Sequence, residues 1–358
     1  MFFLWIIIIG LAFGLLTWAV PLDAAEDAPL TLALGNSHTC ALIDGGVSCR
    51  GWGLALGTGN DTDRAAPAGV SGLSSGVQAL AAGRGHTCAL LETGGVMCWG
   101  QNGAGQLGDG TTTRSAQPVP VQGLPSGVTD IATGSFHSCA VIGDAARCWG
   151  RDAEEQLGIG NSTRGSVELS KLWDTAYTDI SVGARHVCAV AAGGAAQCWG
   201  NNHRGELGIG EPVGLEVTRS SPQPVVGLAS GVSRIAAGLD FTCAIVDGAA
   251  KCWGRNQYGQ LGNGMGANSA RPVQVAGLTG DVTALSASTT QVCVVQAGEV
   301  LCWGSGFSAT PQAVSGAPGG YRWVTTGGAT CWLSDGQTLC SGRDQEGRLG
   351  AGRVDVRT

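Results

Sequence analysis

Fourteen cysteines and five histidines are the residues of this 358-residue chain best suited to chemistry. Their spacing decides between a thiolate nucleophile, a metal ligand and a cross-link. The cysteines fall into seven pairs: Cys40 with Cys49, Cys88 with Cys98, Cys139 with Cys148, Cys188 with Cys198, Cys243 with Cys252, Cys293 with Cys302, and Cys331 with Cys340. Within a pair the separation is nine or ten residues, and pairs recur about every 50 residues, shortening to 38 at the end. Structural zinc sites join couples spaced by two to four residues, and no pair here has that spacing. Histidines precede four pairs, at His38, His86, His137 and His186, but Phe241, Gln291 and Ala329 stand at the equivalent positions of the others. A ligand required by every unit would not be replaced in that way. Disulfides are therefore the expectation for all seven pairs, which leaves no thiol nucleophile and no metal site. No Gly-x-Ser-x-Gly elbow, no phosphate loop ending in Gly-Lys-Ser/Thr and no EF-hand ligand run occurs. Carboxylates carried on the repeat, such as Asp109 and Glu206, form no evident pair. The sequence thus points to no catalytic residue and no cofactor.

The cysteine spacing has a structural cause. In Cys40-Ala-Leu-Ile-Asp-Gly-Gly-Val-Ser-Cys49, pairing the cysteines and stepping inward leaves Asp44-Gly45 as a two-residue loop. Asp-Gly suits a type I′ hairpin turn, whose central residues both need positive φ. The same operation leaves Asp247-Gly248, Asp335-Gly336, Gly143-Asp144 and Ala297-Gly298 in other copies, and three-residue loops ending in Gly94 and Gly194 where the separation is ten. Three steps from the pair that closes a two-residue turn is a non-hydrogen-bonded position, where Cα atoms lie ~4.5 Å apart. A disulfide accepts ~4.4–6.8 Å, so each hairpin permits its own bridge.

Two further strands accompany each hairpin. One resembles Val77-Gln-Ala-Leu-Ala-Ala-Gly83; the other is Pro-led, as in 118–124 and 272–278. Proline sits at a strand start or sheet edge. Seven units of four short strands give an all-β chain, and four-stranded antiparallel blades around a channel are the propeller solution to unpaired edges. Trp99, Trp149, Trp199, Trp253 and Trp303 recur in register, which fits inter-blade packing better than a ligand cage. The four equivalent histidines, spread around a ring by the repeat, are expected to bond between neighbouring strands rather than to catalyse.

The hairpin runs into a loop signature: Cys98-Trp-Gly-Gln-Asn-Gly-Ala-Gly-Gln-Leu-Gly108, with close copies after Cys198 and Cys252. Together with Gly-x-x-His-Thr/Ser-Cys-Ala-Leu/Val, this resembles the repeat of the regulator of chromosome condensation. The resemblance covers nearly everything after residue 30 and implies a seven-bladed β-propeller, here one domain over 30–358. Departures occur: copy one is two residues shorter, Asp152 replaces the asparagine in copy three, copy six lacks Gln-Leu-Gly, and Ser341 replaces the tryptophan in copy seven. Family members include a nuclear exchange factor for a small GTPase and a secreted inhibitor of β-lactamases, so the resemblance implies work by protein–protein contact. The first hairpin has no Pro-led strand before it, and a C-terminal strand at 354–357 is expected to complete the N-terminal blade and close the ring.

Residues 1–22 carry no charged side chain and precede Ala24 and Ala25. That pattern fits either a signal peptide, 1–24, or an uncleaved anchor, since ~20 apolar residues can span a bilayer. Seven disulfides belong in an oxidising compartment, so the chain is expected to be secreted, periplasmic or at the cell surface, with membrane contact only through the N-terminal segment. Its net charge of −7 and absence of a basic run exclude a nucleic-acid footprint. The functional expectation is an exported, monomeric protein-binding module acting through loops on one face. The alternatives are an extracellular lyase or hydrolase using the central channel, and a membrane-anchored surface structural protein. Candidate partner-binding residues are Arg84, Phe136, Arg185, Asp240 and Phe241, at loop tips before the cysteines, and Trp173 and Tyr177, in the irregular segment 172–177; the long loop 211–221 is a further candidate. Arginine and aromatic side chains are common interface anchors. Thiol titration of the unfolded, unreduced protein should return no free thiol; several would exclude seven bridges.

Overall fold

In the computed structural model, residues 31–143, 145–159, 175–215, 217–314, 319–334 and 337–342 are described. They form seven antiparallel sheets in a ring, a seven-bladed β-propeller, with one 3₁₀ turn at Gly53–Leu56. Five sheets have four described strands, and the third and seventh have three. Among these residues no helix is long and apolar enough to cross a membrane. Segments 1–24, 172–174 and 354–357 lie outside the described residues.

Blade 2 shows the pattern. Its inner strand Val77–Ala82 pairs with His86–Leu91, which pairs with Val96–Gly100, which pairs with Ser115–Pro120 at the outer edge. The Pro-led strand therefore completes the sheet of the hairpin before it, not the one after it: Met97 faces Pro120 and Cys98 faces Val119. Only the outermost place tolerates a missing N–H. Blade 1 has four described strands, Thr31–Leu34, His38–Ile43, Gly46–Gly51 and Arg64–Gly69, and the closing strand expected at 354–357 lies outside the described residues. Closure among the described residues comes from blade 7 meeting blade 1, where Gly328 N–H donates to Gly35 O at 2.9 Å.

All seven cysteine pairs are cross-strand disulfides, one in each blade. Cys40 bridges to Cys49, Cys88 to Cys98, Cys139 to Cys148 and Cys188 to Cys198. Cys243 bridges to Cys252, Cys293 to Cys302 and Cys331 to Cys340. In every case the two residues stand directly opposite each other in the strand register. Their Cα separations are 4.0–4.2 Å. That is the close approach of a non-hydrogen-bonded pair, slightly tighter than the distances usual for disulfides. Asp44 and Gly45 take φ of 50° and 75°, as the type I′ turn demands, and Asp247-Gly248 repeats this.

The core lies between blades. The cluster that starts with Cys88, Leu90 and Leu107 of blade 2 continues into Val128, Ala140 and Trp149 of blade 3, and corresponding clusters fill the other seams. At the closing seam the cluster shrinks to Leu32, Leu34, Cys331 and Leu333. Five seams share an indole latch, in which Trp99, Trp149, Trp199, Trp253 and Trp303 each donate Nε1–H to a carbonyl of the preceding blade. Between blades 2 and 3, Trp149 donates to Gln106 O at 2.9 Å, and Ser138 Oγ donates to the same carbonyl at 3.1 Å. Because that hydroxyl proton is committed to the carbonyl, Ser138 accepts from His86 Nε2–H, at 2.9 Å, which fixes the histidine tautomer. His38 meets Thr87 and His186 meets Thr242 in the same way. The glycine three residues before each histidine gives the ring its space: a Cβ on Gly35 would lie 2.2 Å from His38 Cε1.

In one seam both members of the histidine–hydroxyl pair change together. Phe241 replaces the histidine of blade 5, and Val292 replaces the hydroxyl of blade 6; both are fully buried. His137 faces a blade whose corresponding residue is Val187, and neither ring nitrogen reaches a hydroxyl. Replacing His86→Phe or Ser138→Val alone should each cost about 1–3 kcal/mol, the range for stranding a buried polar partner. The double variant, built on the pattern of Phe241 and Val292, should cost less than the sum, as coupled neighbours do. Denaturant unfolding with disulfides intact measures all three; strict additivity would show that the histidine and hydroxyl act independently.

Candidate protein-docking face

The blade topology sorts loops onto two ends. At one end lie the connections before each cysteine strand, such as 83–85, and the long loops after it, such as 101–114. At the other end lie the hairpin turns and the links from outer to next inner strand. Three of the long loops are built by one asparagine each. Asn102 Oδ1 accepts Leu107 N–H at 2.9 Å, while its Nδ2 donates to Asp109 Oδ1 and to the carbonyls of Thr111 and Thr113. Asn202 and Asn256 repeat the bond to Leu207 and Leu261. Asp152 keeps the bond to Leu157 at 2.8 Å but has no amide to donate, its Oδ2 is unpaired, and burial raises its carboxyl to about 6.

These loops present two different sectors. Between blades 1, 2 and 3 they surround a cleft of about 750 Å³ lined by Trp52, Gln101, Arg114, Phe136 and Arg151. Arg84 and Arg151 both stand over the Phe136 ring, their Cζ atoms 5.4 and 5.9 Å from its centroid. On blades 4, 5 and 6 the long loops expose Val213, Leu215, Tyr258, Met265 and Phe307; among described large apolar residues, only Trp323 is comparably exposed elsewhere. Between the sectors, Asp240 is buried and holds Arg185 at 3.0 Å and Arg255 at 3.4 Å, with Arg255 over Tyr258.

The structure thus brings Arg84, Phe136, Arg185 and Asp240 to one end, as loop tips should be. Two candidates are corrected. Phe241 is fully buried because it occupies the histidine latch position, and Tyr177 is 5% exposed because it opens an inner strand. Tyr177 also sits at the opposite end, its hydroxyl donating to Gln197 Oε1 at 2.9 Å. Neither can anchor a partner on the loop face. Trp173 lies outside the described residues. The 211–221 loop singled out from sequence carries Val213 and Leu215. Trp52, Arg151, Arg255, Tyr258, Met265 and Phe307 were not anticipated. Aligning the variable x-x of Asn-x-x-Gly across copies would have flagged Tyr258.

Inside the ring the structure also gathers charges about 50 residues apart in sequence. Asp130, Asp179 and Arg234 occupy corresponding places on the inner strands of blades 3, 4 and 5. Burial raises Asp130 to about 6 and raises Asp179 as well. Both carboxylates are engaged as bolts. Asp179 Oδ2 accepts Ile235 N–H of the next blade at 2.8 Å and Oδ1 faces Arg234 at 3.5 Å. Asp130 accepts from Ile131 N–H and from Ile180 N–H of the next blade. Among the described residues, no three His, Cys, Asp or Glu side chains converge as metal ligands.

Glu206 replaces the glutamine of Gly-Gln-Leu-Gly in blade 4. Its Oε2 accepts Arg204 N–H, as Gln106 and Gln260 accept from their own loops. The carboxyl is fully buried, Oε1 has no partner, and burial pushes it up to about 8. It behaves as a neutral amide substitute.

This arrangement, short four-stranded blades latched edge to edge with variable loops at one end, defines a repeat β-propeller. The Regulator of chromosome condensation (RCC1) repeat matches residues 93–141, 194–245 and 247–295, and a second form of that repeat matches 77–106, 177–206 and 232–260. Together they cover just over half of the chain, which is a member of this repeat family. The chain is 29% identical over 246 residues to the Ultraviolet-B receptor UVR8 of Arabidopsis thaliana, 66% of this chain and 55% of that one. It is 36% identical over 112 residues to the human E3 ubiquitin-protein ligase HERC2, 30% of this chain and 2% of that one. The chain therefore spans a small part of HERC2 and about half of UVR8. Prp20p of Saccharomyces cerevisiae, whose structure was described with its binding to Gsp1p and histones, superposes with a TM-score of 0.72 at 21% identity over 90% of this chain and 84% of that one. The ectodomain of the Arabidopsis thaliana receptor kinase ACR4 gives 0.53 at 20% identity, covering 88% and 96%. Both likenesses are of fold.

The pH dependence of stability follows from the buried groups. Burial lowers His38 and His186 to about 4 and His86 and His137 to about 3. A depressed histidine stabilises above its unfolded value of ~6.5 and loses that contribution as pH falls toward the folded value. Glu206 is raised, so its contribution is present below the unfolded value and is lost as pH rises toward about 8. The histidines should make the melting temperature fall below about pH 6, and Glu206 should make it fall as pH rises from about 5 to 8. Glu206→Gln should remove the second slope, raising the melting temperature at pH 9 and leaving it nearly unchanged at pH 4. An equal shift at both pH values would show that ionisation is not the cause.

Proposed function

We propose that this protein is an exported binding module that docks another protein on its long-loop face. The observation that carries this reading is the concentration of exposed large apolar side chains on the loops of blades 4, 5 and 6. Scattered surface apolar residues need no explanation, but a set gathered on one face marks an interaction surface. Tyrosine and arginine, here Tyr258 with Arg255 and Arg185, are frequent interface anchors. Prp20p shares the fold and binds proteins, which makes protein contact the natural use of such a face. The carboxylates of the ring interior are engaged in holding neighbouring blades, which favours binding over catalysis. Export is supported by one disulfide per blade, stable where thiols are oxidised, and by the uncharged stretch 1–22.

Affinity capture with residues 26–358 from the secreted and surface fractions of the source organism tests the reading. A partner should be retained by the wild-type protein and lost, at least tenfold, by the Leu215→Ser/Tyr258→Ser variant with an unchanged melting temperature. Retention of every captured protein by that variant would place the docking surface elsewhere. N-terminal sequencing of the protein from its host should begin after Ala24 or Ala25; a mature protein still starting at Met1 would favour an anchored form.

A further inference from the structure

We infer that the cleft between the loops of blades 1, 2 and 3 binds an acidic, extended peptide segment of the docked protein, an inference that rests on the loop face being the docking surface. The cleft is separate from the apolar sector and has different chemistry. Phe136 and Arg151 line the cleft, with Arg151 over the Phe136 ring, while Arg84, over the same ring, lines the adjoining space at the centre of the propeller. Stacking holds a guanidinium by its face and leaves its edge N–H groups open to an acceptor. Arg84 is exposed and has no carboxylate within salt-bridge distance among the described residues. Arg151 has one distant partner, Glu154 at 4.0 Å. Arg114 stands at the rim, paired with Asp61 at 3.0 Å on a largely exposed surface. The guanidiniums of Arg84 and Arg151 gathered about one Phe136 ring, in a chain of net charge −7, form a local cationic spot on an acidic protein.

The glycine at position 85 opens the cleft. Corresponding loop tips carry Phe136, Arg185, Asp240 and Thr290, whereas a Cβ on Gly85 would lie 2.8 Å from Gln101 and 3.1 Å from the Trp52 ring. The gap lets Trp52 and Gln101 line the floor. Gln101 makes no side-chain hydrogen bond to a described residue that would occupy its amide, and it can pair with a peptide unit, which needs one donor and one acceptor. A volume of about 750 Å³ lies within the ~300–1,000 Å³ of ligand sites. Guanidinium forks match carboxylates bidentately, Trp52 and Phe136 offer an apolar contact, and the amide serves the backbone. A nucleic acid fits less well, because it presents a continuous line of phosphates, whereas the cationic groups here are confined to one spot.

The test uses the mature full chain and a fluorescein-labelled decapeptide of glutamates around a central leucine, followed by anisotropy. Saturable binding is expected, weakening as salt rises. The all-glutamine analogue should bind at least tenfold more weakly. Arg84→Gln/Arg151→Gln should lose the acidic peptide at least tenfold with an unchanged melting temperature, and Arg84→Lys/Arg151→Lys should fall between the two. No binding of the acidic peptide, equal binding of the glutamine analogue, or tighter binding of oligothymidylate each overturns the inference. The Leu215→Ser/Tyr258→Ser variant separates it from the reading it rests on. Peptide binding should survive that variant while partner capture is lost. If partner capture depends on Leu215 and Tyr258 but no peptide binds, the cleft inference falls and the docking face stands. If the peptide binds but capture ignores Leu215 and Tyr258, the apolar docking reading is the one that fails.

Discussion

One buried carbonyl in each of five seams organises this molecule. The carbonyl just before the buried leucine of each long loop, such as Gln106 O or Glu206 O, receives an indole N–H from the next blade. In three seams a hydroxyl from that blade, itself bonded to a histidine, stands beside the indole; Ser138 and Thr242 donate at 3.1 and 2.9 Å. An unpaired carbonyl in such a place would be costly, so the loop can fold down only when the next blade is there. The same bond that seats a loop therefore joins two sheets. Gly108 and its counterparts, with φ of 66–75° and no side chain to strike the indole, complete the arrangement.

The latch explains why the repeat tolerates loss in its surface loops but keeps its pattern around the cysteines. Substitutions of buried members come in compatible sets, as with Phe241 and Val292, or leave a visible defect, as with His137. At the closing seam the tryptophan position holds Arg50 and the histidine position Ala329, and Thr39 Oγ1 is left without a partner. There the shared cluster is also smallest. The ring is uniform in backbone and uneven in cohesion.

Much of the fold was legible in the sequence because hairpin geometry is local. Nine-residue separations, as from Cys139 to Cys148 or Cys293 to Cys302, belong with Asp-Gly turns and non-hydrogen-bonded parity to a few neighbouring residues. They were enough for the bridges and the blade count. Even Cys331 and Cys340 could be paired, although their copy lacks the tryptophan. Blade membership was less legible. A Pro-led strand can pair with the hairpin on either side, and only the outer-edge requirement in three dimensions assigns Ser115–Pro120 to the sheet of Cys98. The site was partly legible. Arg84, Phe136, Arg185 and Asp240 stand at loop tips by position in the repeat, but the same positional logic should have placed Phe241 with the buried histidines. Tyr258, Met265 and Phe307 escaped notice because exposure of a loop side chain depends on neighbouring blades. Asp130, Asp179 and Arg234 escaped for a related reason: the ring sets side by side what the chain holds a whole blade apart.

All seven covalent bridges close loops inside a single sheet, and none spans a seam. The chain is thus armoured link by link without being riveted into a hoop. Should a protease nick a connection between blades, nothing covalent would tie the two sides across the cut, and integrity would pass entirely to the buried seam contacts. A nick within a hairpin turn would be harmless by comparison, because the bridge beside it still holds both cut ends in one sheet.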